Sequence, residues 1–353
     1  MINEVLMYLD SNPTIYVEPT FSKKVLEWAT KSGLQVSNDQ LETELNLYQA
    51  NRSEPTYRTQ ALEPASKLEA LLSIPQPVQR TPEWYQFRNE HLTASNAWKV
   101  LGTNATRNQL IFEKCSPVVE RKNGLSETPM SWGQKYEPIT VELYEDYNQT
   151  IVSEFGCIPH PTYSFLAASP DGIVTGPNNY GRMIEVKNVV SRDITGIPKK
   201  DYYIQMQLQM EVCDLSECDF VETKFLEYDT EHEYFADETS EKGILVVFVE
   251  NEGFVYDYMP LRTPKEEIEA WLNEHMEGTP ERVWFKNVYW KLHTYSCVLV
   301  RRRPKWFQAV IQEMETLWQT ILEERVNGQY VLRAAKKREV KEAEEKKMEV
   351  EIF

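Results

Sequence analysis

The amino-acid sequence predicts a mixed α/β (α+β) core carrying helical additions at both ends. Three observations lead there. Short β-rich runs, Gly172 to Thr175, Arg182 to Val190, Asp219 to Phe225 and Ile244 to Val249, are separated by Gly, Pro and Asn. Between the second and third of them, Tyr202 to Val212 has the length and composition of a helix, so strands and helices alternate. Finally, 41% hydrophobic and 12% aromatic content over 353 residues supplies enough apolar material for a packed core and argues against a disordered chain.

Taken in order, residues 1–78 read as a helical N-terminal extension. Ser22 to Lys31 is one of its short amphipathic segments, with Val25, Leu26 and Trp28 on one side, and Pro75-Gln76-Pro77 punctuates its end. Residues 79–260 form the expected core. It opens with a helix-like stretch around Trp84 to Trp98 and a second helix from Trp132 to Tyr147, followed by the strands above. Residues 261–353 are expected to be a helical region with a charged tail. Thr263-Pro264 followed by Glu266 and Glu267 opens a helix through Trp271 in the manner of a cap, and Trp306 to Val326 reads as a long amphipathic helix. The mixed-charge end, Lys336 to Glu351, is apolar-poor and reads as a solvated segment.

Composition removes several classes of function. With 55 acidic and 38 basic side chains the net charge is −17, which excludes charge-driven binding of nucleic acid over the whole surface but leaves room for a local basic groove. No apolar run approaches the ~20 residues of a membrane span. The acidic, mixed N-terminus lacks the pattern of a secretory signal, so an intracellular protein is expected, in host cytoplasm or nucleus if viral. Five cysteines form no C-x-x-C pair, and five histidines show no H-E-x-x-H spacing, which argues against a zinc hydrolase.

The segment with most chemical content runs from Ser169-Pro170-Asp171-Gly172 through the Gly- and Asn-rich turn at residues 176–181 to Ile184-Glu185-Val186-Lys187. It reads as a hairpin. Side chains alternate faces along a strand, so Glu185 and Lys187 share one face while Ile184 and Val186 face the core. The hairpin brings Asp171 toward them. Two converging carboxylates repel, and a hard divalent cation such as magnesium or manganese relieves the repulsion. Lys187 can then orient or help deprotonate an attacking water. An Asp-Gly turn and a Glu-x-Lys strand also fit a solvated hairpin, so the neighbours matter. Upstream, Glu137 on the second helix can add a carboxylate. Downstream, Gln205 and Gln209 lie four apart and share one helix face.

The ordered set Trp84-x-x-x-Arg88 with Thr93-Ala94-Ser95, Gly133-x-x-x-Glu137, Ser169-Pro170-Asp171-Gly172, Ile184-Glu185-Val186-Lys187 and Tyr202-x-x-Gln205-x-Gln207 resembles the lambda-exonuclease-like, or YqaJ-type viral recombinase, nucleases of the PD-(D/E)XK superfamily. The resemblance covers about 80 to 250, and Tyr289 to Phe307 is more weakly similar to forms carried by large DNA viruses. It implies a restriction-endonuclease-like core, a central mixed sheet flanked by helices. It implies that Asp171, Glu185 and the Val186 carbonyl hold one metal, that Glu137 serves a second or its water shell, and that one or two Mg2+ ions, with Mn2+ as substitute, are the cofactor. Lys187 would assist the water, Gln205 would position water or strand, and Arg88, Ser95, Gln207 and Tyr202 would contact DNA and its terminal phosphate.

The implied activity is a 5′ to 3′ exonuclease on duplex DNA that leaves 3′ single strands for recombination, repair or viral genome processing. A single-strand annealing protein and a homo-oligomer are the implied partners. The rival expectations are a structure- or site-specific endonuclease with the same metal site, and an inactive DNA-binding or scaffold module. One departure from the family pattern stands out: no Asp or Glu lies between Glu154 and Asp171, which leaves the second metal's ligands open. Basic candidates outside the motifs are Arg107, Lys114, Arg121, Lys122, Lys199, Lys200 and the run Arg301-Arg302-Arg303-Pro304-Lys305. Ser95 with Asn96 is expected to begin a helix as its N-cap, so that the helix end and Arg88 face an anion.

Overall fold

The computed structural model of the chain describes residues 63–118, 128–239, 241–251 and 253–334. The expected segment Ser22 to Lys31, the basic pair Arg121 and Lys122, and the tail Lys336 to Glu351 lie outside the described residues. The elements, in chain order, are α1 (Glu63–Ser73), α2 (Pro82–Asn89), β1 (Leu92–Thr93), α3 (Ala94–Ala97), α4 (Asn104–Cys115), α5 (Pro129–Asn148), β2 (Val152–Ser153), β3 (Ile158–Pro159), β4 (Leu166–Ala168), β5 (Gly172–Val174), β6 (Met183–Asn188), α6 (Lys200–Val212), β7 (Glu217–Glu227), α7 (Glu231–Ala236), β8 (Lys242–Glu250), β9 (Gly253–Tyr258), α8 (Lys265–His275), β10 (Arg282–Arg301) and α9 (Pro304–Asn327). A 3₁₀ segment, Gln329–Arg333, follows.

Seven strands form the main sheet in the order β2-β5-β6-β7-β10-β8-β9, and β1-β4-β3 make a small second sheet. Among the described residues only β6 and β7 pair in parallel within the large sheet, joined by the crossover helix α6. The expected hairpin is present, with Gly172 opposite Ile184 and Ile173 opposite Met183. Gly172 is required by close approach, because a Cβ there would collide with the Val152 side chain of β2.

Alternation along β6 sorts its side chains as expected. Ile184 and Val186 pack with Tyr144 of α5, Val174 and Val221 on one face. Met183 joins the larger cluster on the other face, where α6 and α9 contribute Met206, Met210, Trp306 and Trp318, and Leu68 and Leu71 of α1 close the same core. The result is the expected mixed sheet with helices on both faces.

Two sequence expectations change. The region beyond 260 is not wholly helical: β10, 20 residues long, sits inside the sheet between β7 and β8. Its first half pairs with β8 and its second with β7, and register shifts fall at Trp284/Lys286 and Leu292/Thr294. The stretch Trp84 to Trp98 is interrupted. α2 ends at Asn89, and the chain turns through β1, which pairs in parallel with β4, before the four-residue α3.

Candidate active site

The site grows from the C-terminal end of β6, where α5 on one face and α6 on the other diverge. A cavity of about 550 Å³ opens there, and its lining includes Glu137, Asp171, Val186, Lys187, Arg192, Lys199 and Tyr202. Asp171 stands just before β5, and its Oδ2 accepts a hydrogen bond from the Val186 amide at 2.8 Å, which fixes the carboxylate across the strand pair. Glu185 is fully buried under α6. Its Oε1 accepts from the Lys187 ammonium, and its Oε2 accepts from Gln209 Nε2 at 2.7 Å. Lys187 also lies 5.1 Å from the centre of the Tyr202 ring.

Glu137 reaches the same cavity from α5. That helix is locked to β6 by a buried polar knot: Thr140 and Thr223 hydroxyls both donate to Asn188 Oδ1 at 2.7 Å, and Asn188 Nδ2 donates to the Gly133 carbonyl at 2.8 Å. Asn188 therefore sets the position of Glu137 relative to Glu185. Pro138, inside α5, has no N–H, so the Gln134 carbonyl one turn earlier loses its helical donor at the cavity wall.

The carboxylates are electrostatically crowded. Burial, and then the charge of Asp171, pushes Glu185 up to about 7 against the pull of Lys187 and Gln209. Burial and Asp171 likewise push Glu137 up to about 7, opposed by Arg80 and Lys187. Burial works to lower the pKa of Lys187, but Glu185 and Asp171 outweigh it and hold the amine above its ordinary value. Held cationic by its neighbours, Lys187 is a hydrogen-bond donor in this arrangement.

The donor set fits a hard divalent cation. It comprises the carboxylates of Asp171, Glu185 and Glu137 with the Val186 carbonyl nearby, all oxygen, and the raised carboxyl pKa values record a repulsion that a cation relieves. Among the described residues no three His, Cys, Asp or Glu side chains form a ready cage, so water would complete the coordination.

The remaining sequence candidates divide. Arg88 Nη2 donates to Ser95 Oγ at 2.8 Å, and its guanidinium lies 4.2 Å over the Trp84 ring, whose Nε1 donates to Ser169 Oγ at 3.0 Å beside the Pro170-Asp171 turn. Arg88 and Ser95 are thus together and tied to the site. The N-cap of α3, however, is Thr93, whose amide is held by Asn96 Oδ1 at 3.2 Å. With four residues α3 has little dipole, so of the expected anion receptor only the Arg88–Ser95 pair is assembled.

Gln205 does not line the cavity; one turn along α6, Gln209 makes the contact with Glu185. Gln207 is turned away as well. It is buried, donates to the Arg301 carbonyl at 2.8 Å and accepts from the Arg303 amide at 2.7 Å, so it ties α6 to the end of β10. Tyr202 does line the cavity.

The basic run is spent internally. Arg302 pairs with Glu211 at 2.8 Å and Asp214 at 2.5 Å, and Arg301 lies 3.5 Å from Glu217. Arg107 pairs with Glu313, and Lys114 is buried.

Sequence reasoning placed Gln209 on the face of Gln205 but gave the role to Gln205, and it missed Asn188, Arg80 and Arg192. Arg80 adopts a left-handed backbone (φ 67°) and its Nη2 lies 3.0 Å from Glu137 Oε2. Arg192 pairs with the buried Glu222 and lies 5.9 Å from the Tyr202 ring centre. The one signal present in the sequence was the shared face of Gln205 and Gln209.

Residues 83–218 match the family described as YqaJ-like viral recombinase domain. The matched segment includes Arg88, Ser95, Glu137, Asp171, Glu185, Val186, Lys187, Tyr202 and Gln209, while Arg80, Glu222 and Thr223 lie outside it. An uncharacterized protein of Acanthamoeba polyphaga mimivirus is 28% identical, covering 73% of this chain and 55% of the relative, so the chain spans about half the length of that protein. Among solved structures, an alkaline exonuclease from Laribacter hongkongensis is 22% identical with a TM-score of 0.43, covering 70% of this chain and 95% of the other. A phage-related exonuclease from Haemophilus somnus is 15% identical with a TM-score of 0.38, covering 69% and 99% respectively. Among the described residues no helix is long and apolar enough to cross a membrane.

Proposed function

We propose that the YqaJ-like domain is a metal-dependent nuclease that hydrolyses DNA phosphodiesters from the 5′ end of a duplex, leaving 3′ single strands for recombination, repair or viral genome processing. The observation that carries this reading is that Asp171 and Lys187 line one cavity, with Asp171 bonded to the Val186 amide and Lys187 to the buried Glu185 behind the wall. Asp171, Glu185 and the Val186 carbonyl would hold one Mg2+ or Mn2+, and Glu137 would serve a second. A bound divalent ion lowers the pKa of a coordinated water and offsets phosphate charge.

The chain's own groups do the rest. Lys187 Nζ, held cationic by Glu185, orients the attacking water and faces the charge that develops on the phosphate. Gln209 keeps Glu185 in its anionic orientation without adding charge. Tyr202, Arg192 and Lys199 give the cavity an aromatic and cationic wall along which a strand can lie. Arg88 and Ser95 receive the terminal 5′ phosphate through charge-assisted hydrogen bonds.

The test is digestion of linear duplexes labelled at the 5′ or the 3′ end, with and without magnesium, beside a closed circular duplex. Magnesium-dependent release of the 5′ label, with the circle intact, is the expected outcome. Cleavage of the circle would favour an endonuclease with the same site, and no cleavage of any substrate would favour a binding module.

A further inference from the structure

The C-terminal end of α2, which carries Arg88, is held by groups from two distant parts of the chain. A helix leaves its last four carbonyls without internal donors, and they are commonly satisfied by a glycine turn or by cations. Here His91 Nδ1 lies 2.7 Å from the Phe87 carbonyl. The Lys114 ammonium, at the end of α4, donates to the Arg88 carbonyl and, at 2.6 Å, to the His91 carbonyl. Arg325, in the last turn of α9, donates from Nη2 to the Asn89 carbonyl at 2.7 Å and to the Lys114 carbonyl at 2.8 Å. Its Nε donates to that same Lys114 carbonyl at 3.1 Å, and its guanidinium lies 5.3 Å over the buried Trp318 ring.

The contacts close a ring: Lys114 grips the α2 terminus, and Arg325 grips both that terminus and Lys114. These partners are carbonyl oxygens, not carboxylates. They orient the Lys114 and Arg325 cations without cancelling their charge, which adds positive charge beside Arg88 in a protein of net charge −17. The crowding has a cost, since burial and then the charges of Arg88 and Arg325 push Lys114 down to about 7. An anion at Arg88 relieves it.

We propose that Lys114 and Arg325 are positioning residues for the Arg88–Ser95 phosphate receptor, which makes α9, outside the matched segment 83–218, part of the apparatus that recognises a duplex end. The inference rests on the reading of Arg88 and Ser95 given above. Lys114 and Arg325 touch no substrate; they act by fixing the turn from which Arg88 projects and by raising the local potential.

The experiment compares initial rates of the full chain on linear duplexes with a 5′ phosphate and with a 5′ hydroxyl, at saturating magnesium. Arg88→Ala, Arg325→Gln, Arg325→Lys and Lys114→Met are each measured, and the readout is the phosphate-to-hydroxyl rate ratio. General structural damage lowers both rates together and leaves the ratio unmoved. Arg88→Ala should collapse the ratio toward one, Arg325→Gln should lower it roughly tenfold, which corresponds to one charge-assisted contact, and Arg325→Lys should recover most of it. If Lys114→Met melts well below the unmodified protein, the Arg325 pair carries the test alone. A ratio unchanged by Arg325→Gln, while Arg88→Ala abolishes it, overturns the positioning role and leaves the receptor standing. Equal rates on both ends in the unmodified protein, or a ratio untouched by Arg88→Ala, overturns the receptor and this inference with it.

Discussion

Replacing Gln209 by Met isolates how the site tunes its own metal affinity. Methionine matches the volume and helix preference of glutamine but cannot donate, so Glu185 Oε2 loses the 2.7 Å bond inside a fully buried environment. A hydrogen bond to a charged group contributes roughly 1.5–3 kcal/mol, and each pKa unit corresponds to about 1.36 kcal/mol, so the Glu185 carboxyl should rise by about one unit or more. The direction follows from chemistry: the lost donor favoured the anion, so its removal favours the proton.

A carboxyl at about 7 is half ionised at pH 7. Moved to about 8, it is ionised in roughly one molecule of eleven. The fraction ready to take a cation therefore falls about fivefold at pH 7, while at pH 9 both proteins are almost fully ionised and the difference nearly vanishes. The assay is the magnesium dependence of cleavage at the two pH values. Half-saturating magnesium should rise about fivefold in Gln209→Met at pH 7 and by less than about 1.5-fold at pH 9, with similar maximal rates. An equal shift at both pH values, or a lowered maximal rate with no shift, would refute the argument and move Gln209 from tuning Glu185 to another task.

Four further outcomes are expected. Asp171→Asn, Glu185→Gln and Lys187→Met should each reduce cleavage by at least ~10³-fold while circular dichroism and DNA binding persist; near-normal activity in Glu185→Gln would sink the proposed site. Calcium, with looser geometry than magnesium, should support DNA binding without efficient turnover, as a filter-binding and digestion pair would record. Without divalent ions, Glu137 and Glu185 are held above their unfolded values, so their stabilising contribution is complete below pH ~4.5 and is lost as pH rises through about 7. The melting temperature gained from magnesium should therefore be larger at pH 8 than at pH 5, and calorimetry showing the reverse would contradict the crowding. Asn188→Ala, which unties α5 from β6, should cost about 1–3 kcal/mol in urea unfolding and lower activity with it.

How much of this was legible in the sequence depends on the range of the interaction that decided each part. The β5–β6 hairpin was readable because strand alternation and a Gly/Asn turn are local properties, and they placed Glu185 and Lys187 opposite Ile184 and Val186 correctly. β10 was not. Its register shifts at Trp284/Lys286 and Leu292/Thr294 break the period-two pattern, and its two halves are completed by strands more than 30 residues distant in sequence. The turn after α2 was expected near Leu92-Thr93-Ala94, but the groups that hold it are supplied by other elements and could not be read: Phe165, whose carbonyl takes the Leu92 amide at 2.7 Å, and Lys114 and Arg325 beyond. Gln205 and Gln209 share a face, but which of them meets Glu185 depends on the translation of α6 along the sheet, and that is set by packing against α3, α9 and β7.

Charge runs mislead for a related reason. Arg301 to Arg303 looked like a strip for phosphates because four basic residues fall within 301–305. In the fold, Arg302 faces Glu211 and Asp214, Arg301 faces Glu217, and the main chain at 301 and 303 is occupied by Gln207. A guanidinium that is already paired gives up that pairing to meet a phosphate, so its net attraction is small compared with that of a cation braced by neutral carbonyls. The cations held that way or lining the cavity, Lys114, Arg325 and Lys199, are scattered over more than 200 positions of the chain. A strongly acidic protein can therefore keep a positive groove that no window of its sequence displays, because the groove is made by which cations are left without carboxylates once the chain has folded.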